Sequence, residues 1–181
     1  MSSQETLAGV PKPPPRVLIL THSIFPSDSR IEKEVSSLLS KGFDVTVVAN
    51  KSLTKNRVRS FLGAEVLYVW MAFPLGIPIL NLPRLVHTLK NHRFVTMQTC
   101  DAPLGLIAVP LSMIYRLKLV YDAHETWPLL ALFAFRNLLV GLASAPLLFL
   151  SELVLVRHAR KVITVSEGVR SFIYITWMVN H

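Results

Sequence analysis

Six short runs rich in β-branched residues and leucine recur along the chain: RVLILT (16–21), DVTVVAN (44–50), AEVLYVW (64–70), FVTMQT (94–99), KLVYDA (118–123) and KVITVS (161–166). This recurrence constrains the fold more than any other feature. Short apolar runs bounded by turn signals read as strands buried on both faces. Between the first two lies a segment predicted to be helical from about Ser29 to Lys41, with Ile31, Val35, Leu38 and Leu39 on one face and Gly42 placed to close it. A strand, helix, strand unit of this length makes a right-handed crossover, so the strands run parallel. Helices are predicted again over 83–92 (PRLVHTLKNH) and 103–115 (PLGLIAVPLSMIY), the second interrupted by Pro110.

Strands alternating with helices predict an α/β domain over residues 16–181: a doubly wound, mostly parallel, six-stranded Rossmann-like sheet. Residues 1–15, MSSQETLAGVPKPPP, lack the charged and apolar regions of a secretory signal and read as a disordered, proline-stiffened leader. Strand order 3-2-1-4-5-6 would open a crevice between strands one and four. The loops at His22–Asp28 and Thr99–Asp101 would line it, with His124 at its border.

Composition narrows the partners. The 181 residues suit one domain, and 51% hydrophobic against 17% charged suggests a surface not wholly exposed to water. A net charge of +8 calls for anionic partners, yet the basic residues are dispersed and no nucleic-acid-reading motif occurs. Lipid headgroups or sugar phosphates fit better than nucleic acid. Cys100 is the single cysteine, so no internal disulfide can form, which agrees with a reducing, cytoplasmic location. The loop after the first strand, HSIFPSDS, has no glycine with which to cradle a pyrophosphate. No Walker A sequence, zinc-ligand spacing or G-x-S-x-G elbow is present, so no resident cofactor or metal is expected.

Three segments carry a family resemblance: LILTHSIFPSDSRIEKEVSSLLSKGFDVTVVAN, with its Asp-x-Arg, hydrophobe, two residues, then Glu; LVYDAHETWP; and ARKVITVSEGV. Spaced over residues 16–170, together they resemble the N-terminal domain of a family-four retaining glycosyltransferase of the two-Rossmann GT-B fold. The middle one is similar to the Asp-Ala-His-Glu segment of one subgroup. The resemblance implies transfer of a sugar from a nucleotide-sugar donor, held mainly by a C-terminal domain, to a carbohydrate or lipid-linked acceptor held mainly by this one.

The resemblance also implies roles. His124 corresponds to the histidine facing the transferred sugar and is the candidate catalytic residue. Glu125 would orient that ring or hold the loop, and Asp122 would cap the turn. Both also read as a helix cap and its first-turn acid. Arg30 and Glu34 match the first-helix pattern, as an ion pair over the acceptor or as an i,i+4 surface pair. Ser166 and Glu167 begin the last helix, whose N-terminus would face the cleft and favour an anion. His22, just after the first strand, is a further candidate substrate-binding residue.

Residues 129–156 are nearly all apolar, with Arg136 and Glu152 as the only charges, and Gly141 and Pro146 punctuate the run. A spanning helix would part strands five and six. A broken helix or hairpin is expected instead, packed partly on the sheet and partly dipping into one leaflet, in peripheral contact with a membrane. The basic loop 51–59 and the helix near 84–93 can add attraction to anionic lipid.

The family's donor site uses two glutamates separated by seven residues. None of the glutamates at 5, 32, 34, 65, 125, 152 and 167 has another eight positions on. The donor domain is therefore expected to be missing. The apolar ending, SFIYITWMVNH, reads as a truncation. Two readings follow: an acceptor-side half, inactive alone and completed by a separate donor-binding chain, or a catalytically silent remnant or binding module.

Overall fold

The computed structural model describes residues 13–51, 57–72, 78–127 and 138–177. Most of the leader (1–12), part of the basic loop (52–56) and the first part of the apolar stretch (129–137) lie outside the described residues. The described elements are β1 (Arg16–Leu20), α1 (Ser29–Ser40), β2 (Asp44–Asn50), β3 (Ser60–Phe61), β4 (Ala64–Val69), β5 (Met71–Ala72) and β6 (Ile79–Leu80), followed by α2 (Leu82–Asn91) and β7 (Phe94–Thr99). A 3₁₀ turn (Ala102–Leu104) then leads into α3 (Gly105–Ile114), β8 (Lys118–Ala123), α4 (Leu138–His158), β9 (Lys161–Thr164) and α5 (Glu167–Trp177).

The main sheet runs β3-β4-β2-β1-β7-β8-β9. Six of these strands are the six expected, parallel and in the expected order. The seventh, β3, is an antiparallel edge strand joined to β4 by a tight turn, with Leu62 at φ 53° and Gly63 at φ 101°. A strand of two residues has too little periodicity to read from sequence. The same holds for the small β5–β6 ladder.

The sheet is buried on both sides because side chains alternate along each strand. Val17 and Ile19 of β1 join Val45, Val47 and Ala49 of β2 against Ile31 and Val35 of α1. Leu18 and Leu20 point the other way, into a core shared by Leu85 and Leu89 of α2, Ala108 of α3, Leu155 and Val156 of α4, and Ile173 of α5. Each fully buried Leu or Val contributes about 1.5–3 kcal/mol, so the apolar runs alone go far toward holding the layers together.

Local signals set the element ends. Asp28 caps α1, its carboxylate accepting from the Arg30 N–H at 3.1 Å, and Gly42 closes it at φ 79°. The last strand stops at Thr164, before the expected 166, because the Ser166 hydroxyl accepts the Val169 N–H at 3.3 Å and starts α5 instead.

One expectation is corrected. Within the described part of the apolar stretch, residues 138–158 form one helix, α4, which runs through Gly141 and Pro146 where a break was expected. Pro146 removes the bond to the Leu142 carbonyl, but both residues lie on the exposed side, where water can serve that carbonyl. Gly141 faces inward. The helix is fixed by polar groups: the Ser151 hydroxyl donates to the Ala102 carbonyl of the 3₁₀ turn and accepts from the Leu106 N–H of α3, while the Tyr121 hydroxyl of β8 donates to Glu152 at 3.0 Å. Burial, aided by the Glu152 charge, pushes the Tyr121 pKa well up.

Candidate functional site at the carboxyl edge of the sheet

Three strands deliver polar groups to one place. A cavity of about 220 Å³ opens where β1, β7 and β8 end. This is the switch point, where helices leave neighbouring strands in opposite directions and the loops part. From the loop after β1 come His22 and Ser23, and from α1 comes Arg30. Cys100 and Asp101 follow β7, and His124, Glu125 and Trp127 follow β8.

Asp101 is the anchor of the β1 side. It is 4% exposed, and its Oδ2 accepts from the Thr21 hydroxyl at 2.9 Å and from the His22 backbone N–H at 2.7 Å. Its Oδ1 lies 2.7 Å from His22 Nδ1. Burial of His22 works against the imidazolium, but the hydrogen bond and charge of Asp101, helped by Glu125, outweigh it and raise the pKa above the ordinary histidine value. Trp127 packs edge-on to the ring, centroids 5.4 Å apart. The second histidine has its own carboxylate: His124 Nε2 lies 2.7 Å from Asp122 Oδ2. The cavity is thus bordered by two imidazoles, each backed by an aspartate at the end of a different strand.

The cation at the mouth is oriented from its own loop. Arg30 donates from Nε and Nη2 to the two oxygens of Asp28, at 3.2 and 3.1 Å. Burial would raise the Asp28 pKa, but the hydrogen bonds and charge of Arg30 outweigh it and lower the value. Glu34, one turn further along α1, does not pair with Arg30. It accepts a hydrogen bond from Gln98 of β7 instead. Burial, with the Asp122 charge behind it and the Gln98 bond opposing, pushes the Glu34 pKa up to about 7.

The structure therefore brings together His22, Arg30, His124 and Glu125 around the cavity, with Asp122 directly behind His124. Asp122 is the carboxylate that contacts the His124 ring, where Glu125 was expected to orient it and Asp122 to cap the turn. Ser166 and Glu167 are not among the cavity's lining residues: Ser166 caps α5, and exposed Glu167 pairs with Arg170 at 3.4 Å. The sequence reading placed the Thr99–Asp101 loop on the crevice without giving Asp101 a role, and it passed over Trp127. The signal for Asp101 was present, since QTCDA ends β7 on an aspartate much as VYDAHE ends β8. Nothing in the order of residues shows Trp127 meeting His22, a contact across the topology. Among the described residues, no group of three or more His, Cys, Asp or Glu side chains is placed to hold a metal ion.

No family model matches this chain, and no curated protein does. Among solved structures it is similar to sucrose-phosphate synthase from Thermosynechococcus elongatus, with a TM-score of 0.66 over 89% of this chain at 10% identity. The chain spans 45% of that structure's length. A second structure of the synthase gives a TM-score of 0.57 at 11% identity, covering 87% of this chain and 80% of that one. At such identities the likeness is one of fold. The chain has an α/β fold, with a mostly parallel seven-stranded sheet, similar to the Rossmann-like half of a GT-B glycosyltransferase.

Proposed function

We propose that this chain is the acceptor-side half of a glycosyltransferase that moves a sugar from a nucleotide-sugar donor to a membrane-proximal or polysaccharide acceptor on the cytoplasmic side. The donor is held by a second Rossmann-like unit outside these residues. One observation carries the reading: the His22–Asp101 and His124–Asp122 pairs face one small cavity at the carboxyl edge of a GT-B-like sheet.

The two pairs suit hydroxyl chemistry. An imidazole with its Nε2–H on a carboxylate keeps Nδ1 as an acceptor, so His124 can take a hydrogen bond from a sugar hydroxyl. His22, held toward its charged form, donates. Arg30 adds a cation for a phosphate or for charge that develops as the leaving group departs. Glu125 offers a further acceptor for hydroxyls. Ser166 and Glu167 have no part in this reading, since they do not line the cavity.

The test is direct. Mono- and oligosaccharides are titrated into the chain while the His22 and His124 ring resonances are followed by NMR, alongside calorimetry with nucleotide sugars. Saccharides are expected to shift both rings, and Asp122→Ala to abolish the His124 response. With a donor-binding partner present, His124→Ala should lower transfer by about a hundredfold or more. Tight binding of a nucleotide sugar by this chain alone, with no saccharide response, would overturn the acceptor-side assignment. A silent chain under every condition would favour the binding-module alternative.

A further inference from the structure

Helix α4 is arranged inside out. Its sheet-facing side carries Gly141, Ser144, Ser151 and the fully buried Glu152, with Leu148 and Leu155. Its outer side carries Leu139, Leu142, Ala143, Pro146, Phe149 and Leu150. These recur at spacings of three and four, so they form one stripe along the helix. Leu142 is 52% exposed and Leu150 46%, at positions where a soluble helix would present charge. Met113 at 63% and Ile114 at 70% extend the apolar exposure to the far end of α3, which packs beside α4 and ends near Arg157.

Charge says what covers it. Arg157 lies seven residues beyond Leu150, two helical turns on and on the same side. Arg116, Lys118, Arg160 and Lys161 are exposed nearby, the Arg160 N–H binding the Leu119 carbonyl at the foot of β8. Between residues 102 and 166 the acids are Asp122, Glu125 and Glu152: the first and last are buried and the second lines the cavity. This face therefore presents apolar side chains and cations. A second copy would set those cations against themselves, whereas an anionic lipid surface complements both features.

The stripe also has a definite height in the fold. Ser151 bonds to Ala102, just past the carboxyl end of β7, and Arg160 to Leu119, at the amino end of β8. The segment from 151 to 160 thus spans the sheet, and the striped half of α4 rises past its carboxyl edge, the edge that holds the cavity. By length and composition Leu139–His158 could cross a membrane, with a mean hydropathy of 2.1. The bonds of Ser151 to Ala102 and Leu106 and of Glu152 to Tyr121 hold it against α3 and the sheet instead.

We infer that the outer face of α3 and α4 is a docking surface for an anionic lipid leaflet, along which α4 lies with its apolar half beside the cavity edge and its cationic end toward the amino edge of the sheet. The consequence that the acceptor is lipid-borne rests on the sugar-transfer reading. The binding itself does not, and is measured without any transfer assay.

The chain is sedimented with vesicles of phosphatidylcholine alone or mixed with phosphatidylglycerol. Binding is expected only with the anionic lipid, weakening as salt rises. Arg116→Gln and Arg157→Gln should each weaken it about fivefold, and Leu142→Glu with Leu150→Glu should abolish it, with circular dichroism reporting that the variants are folded. Should a variant not fold, Ala143→Cys carrying an environment-sensitive fluorophore reads the same contact. Its emission should shift to the blue on anionic vesicles, while the same label at exposed Lys33→Cys on α1, across the sheet, does not shift. No sedimentation with either vesicle, variants that bind undiminished, or a dimer that Leu142→Glu converts to monomer would each overturn the inference.

Discussion

Replacing Glu34 by glutamine isolates the most perturbed carboxyl beside the site. Glu34 sits between α1 and β7, its side chain accepting a hydrogen bond from Gln98, with the Asp122 charge nearby. Burial raises its pKa from 4.5 to about 7. Between those values the native chain keeps a proton that the unfolded chain has released, so stability falls as pH rises. The penalty is absent below the unfolded value and complete once pH has passed the folded one. A rise from 4.5 to about 7 corresponds to roughly 3 kcal/mol, at about 1.36 kcal/mol per pH unit. Glutamine has the same shape and cannot ionise. Urea unfolding of both proteins from about pH 4 to about pH 8 should give similar stabilities at the acid end and a gap near 3 kcal/mol in favour of Glu34→Gln at the basic end. Curves that stay parallel over this range would mean that Glu34 ionises freely in the folded chain, and the account of its burial would be wrong.

Asp101→Asn removes the charge that offsets the burial of His22, so the His22 titration followed by NMR should move to lower pH; an unmoved midpoint would show that Asp101 does not hold the imidazolium. At Gly105 an added Cβ would meet the Ser151 carbonyl oxygen at 2.5 Å and Leu155 Cγ at 2.6 Å. Gly105→Ala should therefore push α3 from α4 and cost about 1–3 kcal/mol in chemical denaturation, whereas an unchanged midpoint would mean that the two helices are not packed this closely.

How much was legible beforehand depends on the range of the interaction concerned. The strands declared themselves because a strand buried on both faces must be apolar throughout, and RVLILT and DVTVVAN leave no other packing for their side chains. Helix α1 announced its ends through Asp28 and Gly42, whose roles depend on backbone geometry within one turn. His22 and His124 could be marked because parallel topology carries strand ends to one edge.

What the sequence left open was decided between segments distant in the chain. Arg30 and Glu34 look like partners at a spacing of four, yet Gln98 of β7 takes Glu34 once α1 is laid across the sheet, and Arg30 turns back to Asp28 in its own cap. Asp101 acquires its role only when β7 pairs with β1 and sets it beside His22. Helix α4 shows the limit best. A nearly all-apolar sequence has almost no periodic contrast, so neither face is marked as inner. Only the tertiary structure, by offering Tyr121 of β8 to Glu152 and the Ala102 carbonyl of the 3₁₀ turn to Ser151, selected which side turned in and left the leucines outside. Local order thus follows from residue type and spacing, because its forces act within a turn of chain. The partners of buried polar groups follow from topology, because a hydrogen bond needs its two atoms within about 3 Å whatever their separation in sequence.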